Sequence, residues 1–164
     1  MPNNVYSVLK FHYHNDDGEL IKSISDKLKG DNSILDFNKI IPQPVGIQHE
    51  DKYVLSDAEH AWNRDNWGTK WNAFDIEVIV NESYQLIITF QTAWNISKPI
   101  ILKIIELFPN VGLKFIAADD GHWFAYSFHK SEDENIVTIN EWNNENDKEG
   151  YIRGAVFNAL NLNY

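Results

Sequence analysis

The sequence predicts an α+β fold built around one antiparallel sheet. Three observations carry the prediction. The chain opens on a segment with period-two alternation, Val5 to Tyr13; two further alternating runs, Phe74 to Val80 and Leu86 to Phe90, are spaced as a hairpin; and amphipathic helical stripes fall between strands rather than in a block of their own. At 164 residues, with 43% hydrophobic and 23% charged positions, the chain has the size and composition of one globular domain covering residues 1–164. A chain of this length can bury about 68 to 70% of its unfolded surface, enough for a core of its own.

In the first strand the odd positions Val5, Leu9, Phe11 and Tyr13 are apolar, with Ser7 interrupting, and the even ones end in Lys10 and His12. Asn15-Asp16-Asp17 supplies N-cap chemistry, Leu20, Ile21, Ile24 and Leu28 share one helical face, and Gly30 offers a stop, which predicts a helix from Gly18 to Lys29. Asp31 to Trp71 has no sustained period, and Pro42 and Pro44 restrict the residues before them. It is too aromatic for a linker. Phe37, Ile40, Ile41, Trp62, Trp67 and Trp71 require apolar surroundings, so about 31–71 is an ordered insertion lying against the domain, with a short helix around Ser56 to Arg64.

The hairpin strands alternate Phe74, Ile76, Val78 and Val80, then Leu86, Ile88 and Phe90, about the turn Asn81-Glu82-Ser83. Ser97-Lys98-Pro99 starts a second helix, because Pro in the first turn loses no intrahelical bond; its stripe is Ile101, Ile104, Ile105 and Phe108, and Pro109-Asn110 ends it. Leu113 to Ala118 and Trp123 to His129 read as strands about the turn Asp119-Asp120-Gly121, and a short strand, Ile136 to Asn140, follows the acidic turn Ser131 to Asn135. Ile152, Ala155, Val156, Ala159 and Leu160 place a terminal helix within Lys148 to Leu160 despite Gly150 and Gly154. This order is the split βαβ, or ferredoxin-like, arrangement: an antiparallel sheet with helices on one face, first and third strands central, here with the long insertion after the first helix, extra C-terminal strands and a terminal helix. The expected core is Leu9, Phe11, Ile24, Leu28, Ile76, Val78, Ile88, Phe90, Ile101, Ile104, Ile105 and Phe115. The expected open face shows Tyr6, Lys10, His12, Asp75, Glu77, Gln85, Thr89 and Gln91.

Charge and composition then exclude classes of function. Against 14 Lys and Arg stand 24 Asp and Glu, a formal net charge of −10, which disfavours phosphate-seeking contact with nucleic acid or anionic membranes. No nucleic acid is expected for the isolated protein, and the open face is not the basic aromatic platform of an RNA-recognition module. With no cysteine there is no disulfide, thiolate metal site or Cys nucleophile. Met1-Pro2-Asn3-Asn4 does not begin as a signal peptide, and Ile100 to Phe108, broken by Lys103 and Glu106, falls short of the ~20 residues of a membrane helix, so a cytoplasmic protein is expected.

Four blocks stand out: Met1-Pro2-Asn3 at the start, Leu35 to Pro44 (LDFNKIIPQP), Asn66 to Ala73 (NWGTKWNA), and Phe90-Gln91-Thr92-Ala93-Trp94 before a Pro-started helix. In this order, across about the first two-thirds of the chain, they resemble the YubB-type ferredoxin-like domain family of phages, conjugative plasmids and bacterial genomes. The resemblance implies a ferredoxin-like fold and traffic with mobile elements; it implies no activity. The chain departs from the family pattern after Pro2-Asn3, where Asn4-Val5 stands in place of the usual Trp-Cys.

Asn66, Trp67, Thr69, Lys70, Trp71 and Asn72, with Thr92 and Trp94 at the end of the returning hairpin strand, are the candidate site. Two indoles, an ammonium, a hydroxyl and two amides in seven residues are the chemistry of a pocket, flat apolar walls with convergent donors. The same residues also make a structural pin: Gly68 permitting a turn, the indoles fixing the insertion, the amides capping loop backbone. Buried aromatics are more often packing than recognition, so the structural reading comes first. Metal sites drawn from His12, His14, Asp16 and Asp17, or from His49, Glu50, Glu59 and His60, lack a ligand spacing that fixes a geometry, and none is assigned. Asp119-Asp120-Gly121-His122 is read as a turn rather than a catalytic group, and no nucleotide-loop or nucleophile motif is present. The reading is therefore a non-catalytic binding module without a cofactor, first for a protein partner, because Trp-rich acidic surfaces suit charge-complementary interfaces. The alternative is a small-molecule or nucleotide pocket centred on Asn66 to Asn72, a possible enzyme, with Lys70 on an anion and the indoles stacking a ring.

Overall fold

The computed structural model describes residues 3–13, 18–47, 56–81, 85–131 and 137–162. The elements are β1 (Asn4–His12), α1 (Gly18–Leu28), α2 (Phe37–Ile40), α3 (Asp57–Trp67), β2 (Phe74–Asn81), β3 (Gln85–Ala93), α4 (Lys98–Leu107), β4 (Gly112–Asp119), β5 (Ala125–Lys130), β6 (Val137–Trp142) and α5 (Tyr151–Leu162). Met1-Pro2, the N-cap residues Asn15 to Asp17, His14, His49, Glu50 and the turns at 82–84 and 132–136 lie outside the described residues.

The six strands form one open antiparallel sheet in the order β2-β3-β1-β4-β5-β6. Leu9 of β1 sits between Ile88 of β3 and Phe115 of β4, which sets the register of the two inner ladders. Because β5 and β6 extend the sheet beyond β4, the middle pair is β1 and β4, with β3 on the other flank of β1.

One face carries the main core. Val5, Leu9, Phe11, Ile88, Phe90, Leu113, Phe115 and Phe128 meet Ile24 and Leu28 of α1, Phe37 and Ile40 of α2, Trp67 of α3 and Ile100, Ile101 and Ile104 of α4. The helices do not stay on that face. Val8, Ala118 and Ala125 on the reverse side pack with Leu160 of α5, and Tyr6 meets Phe157 edge-on at 5.5 Å, so α5 covers part of the surface that alternation alone leaves open. On α5 Arg153 and Leu160 are buried and Val156 and Phe157 half-buried, while Ile152 and Ala155 face out. Arg153 overturns the apolar-stripe expectation because it is neutralised and bonded inside: its backbone N–H donates to Asp147 Oδ2 at 2.9 Å, and its Nη1 reaches Asn144 Oδ1 at 2.7 Å and the carbonyl of Trp123 at 3.3 Å.

A second correction concerns Val78. It is 40% exposed, and Ile76 is only half-buried, because β2 is an edge strand that the helices do not fully overlay; Ile105, on α4, is also half-buried, at the margin of the helix stripe whose centre is Ile101 and Ile104. The remaining expected core residues are buried. No helix among the described residues is long and apolar enough to cross a membrane.

Candidate functional site

The insertion is tied down by local caps and long-range bonds that together place the motif. Ser56 and Glu59 form a reciprocal capping box at the start of α3, Ser56 N donating to Glu59 Oε2 at 2.7 Å and Glu59 N to Ser56 Oγ at 3.1 Å. Gly68 ends the helix with φ 80°, a left-handed cap that an L side chain enters at a cost. A Cβ there would also lie 2.7 Å from the Ile96 carbonyl oxygen, so the turn is pressed against the chain entering α4.

Half of the candidate residues are structural pins. Trp67 is buried, its Nε1 donates to the Ile41 carbonyl at 2.9 Å, and its ring meets Phe37 and Trp62 edge-on. Asn66 Nδ2 returns to the Trp62 carbonyl at 2.9 Å. Asn72 Oδ1 accepts from the backbone N–H of Phe37 at 2.9 Å and its Nδ2 donates to Asp36 Oδ1 at 2.7 Å, holding α2 to the start of β2. Thr92 Oγ1 donates to the Asn95 carbonyl at 2.8 Å.

Three of the other four, Thr69, Lys70 and Trp94, line an open cleft of about 460 Å³ together with Arg64, Gly68, Ala93 and Asn95. Thr69 belongs to both groups: it is buried and donates to the Ala93 carbonyl at 3.0 Å, locking the motif to the end of β3. Lys70 is half-buried, its Nζ 5.5 Å from the Trp71 ring centroid, while Asn63 Nδ2 donates to its carbonyl at 3.1 Å and His60 Nδ1 lies 3.3 Å from the same oxygen. Trp71 stands beside His60, ring centroids 6.5 Å apart, and is not among the cleft's lining residues. Trp94 is 56% exposed and has φ 71°. A bulky residue in that region is strained, and such strain gathers at functional positions. Among the described residues the cleft's lining holds two cations and an indole but no carboxylate.

Sequence reading missed Arg64 and Asn95. Arg64 had a signal, since four residues before Gly68 it falls on the helical turn above the motif. Asn95 had none beyond following Trp94.

A second cleft, about 390 Å³, shares Gly68 and Asn95 with the first and runs along the start of α4 to β5 and β6. Lys98 Nζ meets Glu141 Oε1 across it at 2.5 Å and lies 5.5 Å from the Tyr126 ring centroid. The Glu141 hydrogen bond raises the Lys98 pKa above the ordinary lysine value, and burial raises that of the Tyr126 phenol. Among the described residues no three His, Asp or Glu side chains gather to hold a metal ion. His60 and Glu59 serve the α3 framework instead, and Asp119 to His122 form the β4–β5 turn, with Asp119 Oδ1 accepting from Phe124 N at 2.9 Å. No protein-family model matches the chain, and comparison with curated proteins and with solved structures gives no match either.

Proposed function

We propose that the protein is a non-catalytic binding protein for a small organic anion, held in the cleft between the α3–β2 connection and the end of β3. One observation carries this: in a chain of net charge −10, Arg64 and Lys70 line a single cleft with an exposed indole and, among the described residues, no carboxylate. Arg and Lys there supply charge-assisted donors, and Trp94 supplies a flat wall for the apolar part of the ligand. Trp67 drops out of the binding set, since its N–H is spent on Ile41. The strand order β2-β3-β1-β4 supports reading the first four strands as a ferredoxin-like sheet, to which β5, β6 and α5 are additions, and the sequence blocks support a kinship with the YubB-type family.

A test uses phenyl phosphate and inorganic phosphate as probes in calorimetric titrations. Phenyl phosphate should bind more tightly than phosphate, and Arg64→Gln with Lys70→Gln should weaken both at least tenfold. No binding of either probe, or binding unchanged in the double variant, overturns the reading.

The protein-partner reading keeps one specific observation. Trp94 and Trp123, 56% and 60% exposed, flank the same end of the sheet: Trp94 N donates to Asn3 O, and Asp120 N, in the turn that leads to Trp123, to Asn4 O. Exposed indoles of this kind anchor interfaces.

A further inference from the structure

We propose that the two clefts are one bipartite site and that its ligand is a nucleotide, with phosphates beside Arg64 and Lys70 and the base in the second cleft. This rests on the anion reading of the first cleft and adds the identity of the other half of the ligand.

The argument is the division of charge between the two halves. Both are lined by Gly68 and Asn95, so they lie side by side at the α3–β2 turn, within the span of one small molecule. Among the described residues the first half carries two cations and no carboxylate. Among the described lining residues of the second half, Lys98 is compensated by Glu141 at 2.5 Å, leaving no net charge; Pro99, Phe124 and Tyr126 line it from the main-core face, and Trp142 borders it from the α5 side at the end of the sheet. Such a slot takes a flat, neutral ring. It also offers hydrogen-bonding groups for the edge of that ring, the Glu141 carboxylate as acceptor and the Asn143 and Asn95 side-chain amides as donors, their oxygens already accepting from Glu145 N and Ile96 N. An anionic end and a neutral, hydrogen-bonding aromatic end, joined by a short polar spacer, are the three parts of a nucleotide. The volumes, about 460 and 390 Å³, lie within the range of small-ligand sites. A nucleic acid strand has the same chemistry but demands a longer run of cations than the described surface around these clefts provides, and the net charge of −10 opposes it.

The test titrates the whole protein with ADP, pyrophosphate and adenosine. ADP should bind at least tenfold more tightly than either of the others. Trp142→Leu should weaken ADP at least fivefold and leave pyrophosphate unchanged, while Trp142→Phe, which keeps a flat ring, should retain most ADP affinity. Because Trp142 also packs beneath α5, saturation-transfer NMR on the unmodified protein gives a second readout: the base protons of ADP should receive the strongest saturation. Pyrophosphate binding as tightly as ADP, or base protons silent while the ribose protons respond, overturns the bipartite site and leaves the anion cleft standing. Failure of pyrophosphate to bind, with ADP insensitive to Arg64→Gln and Lys70→Gln, overturns the anion cleft itself. A single-stranded octanucleotide binding more than tenfold tighter than ADP overturns the mononucleotide.

Discussion

Trp94 and Gly68 share a backbone region and behave oppositely on substitution. At φ 71° the Trp94 backbone is held where a Cβ is penalised by about 1 to 2 kcal/mol, and its ring is exposed, so little packing offsets the strain. Trp94→Gly should leave thermal stability unchanged or raise it by up to about 1 kcal/mol while weakening phenyl phosphate, a separation of stability from binding that calorimetry of both properties would read. At Gly68 the left-handed φ and the 2.7 Å approach to the Ile96 carbonyl act together, so Gly68→Ala should cost about 2 kcal/mol or more in urea unfolding. The chemistry of the Asn66 to Asn72 run was legible in the sequence, but its division into pins and lining was not. Trp67 and Trp71 are indistinguishable by type. What buries Trp67 is Phe37 and Ile41, some thirty positions earlier, and no local period announces a contact over that separation.

Elements whose signal is periodic were readable; those made by tertiary contact were not. The β1, β2–β3 and α4 patterns predicted the strands and the Pro-started helix within a residue or two, whereas α2, a single turn capped by Asp36 and fastened by Asn72, carries no amphipathic repeat to see. Alternation named Val78 a core residue, yet period two identifies a face and cannot say how far the helices extend over an edge strand. The contrast is measurable. Ile104→Ala, at a fully buried position, should cost about 2 to 5 kcal/mol, and Val78→Ala less than about 1 kcal/mol, by denaturant titration. The α4–β5–β6 junction adds a pH dependence. Lys98 and Tyr126 both have pKa values raised on folding, Lys98 chiefly by its hydrogen bond to Glu141 and Tyr126 chiefly by burial, so both favour their protonated forms in the native state. That contribution is complete below the unfolded values near 10 and is lost as pH climbs through the folded ones. Melting temperature should therefore fall above about pH 10, and fall less steeply in Tyr126→Phe.

The molecule as a whole combines a cleft lined by Arg64 and Lys70 with a net charge of −10, and under the anion proposal that combination selects by size. A small anion entering between Arg64 and Lys70 meets the nearby cations at short range; a duplex laid over the same place also meets the surrounding carboxylates. Each phosphate neutralised contributes about −0.9 to the slope of log affinity against log salt, and useful non-specific binding rests on a footprint of several such contacts. Among the described residues Arg64, Lys70 and Lys98 are the cations on the two clefts, and Lys98 is already paired with Glu141, which leaves a footprint too small for a helix of phosphates. Screening does not rescue it: at ~150 mM salt the Debye length of ~8 Å damps the repulsion from distant carboxylates and the attraction of exposed cations alike. In gel shifts at that salt the protein should leave duplex DNA and duplex RNA unshifted at micromolar concentrations, while binding ADP under the same conditions. A duplex shift that disappears on replacing Arg64 and Lys70 with Gln would instead assign these two cations to a phosphate backbone.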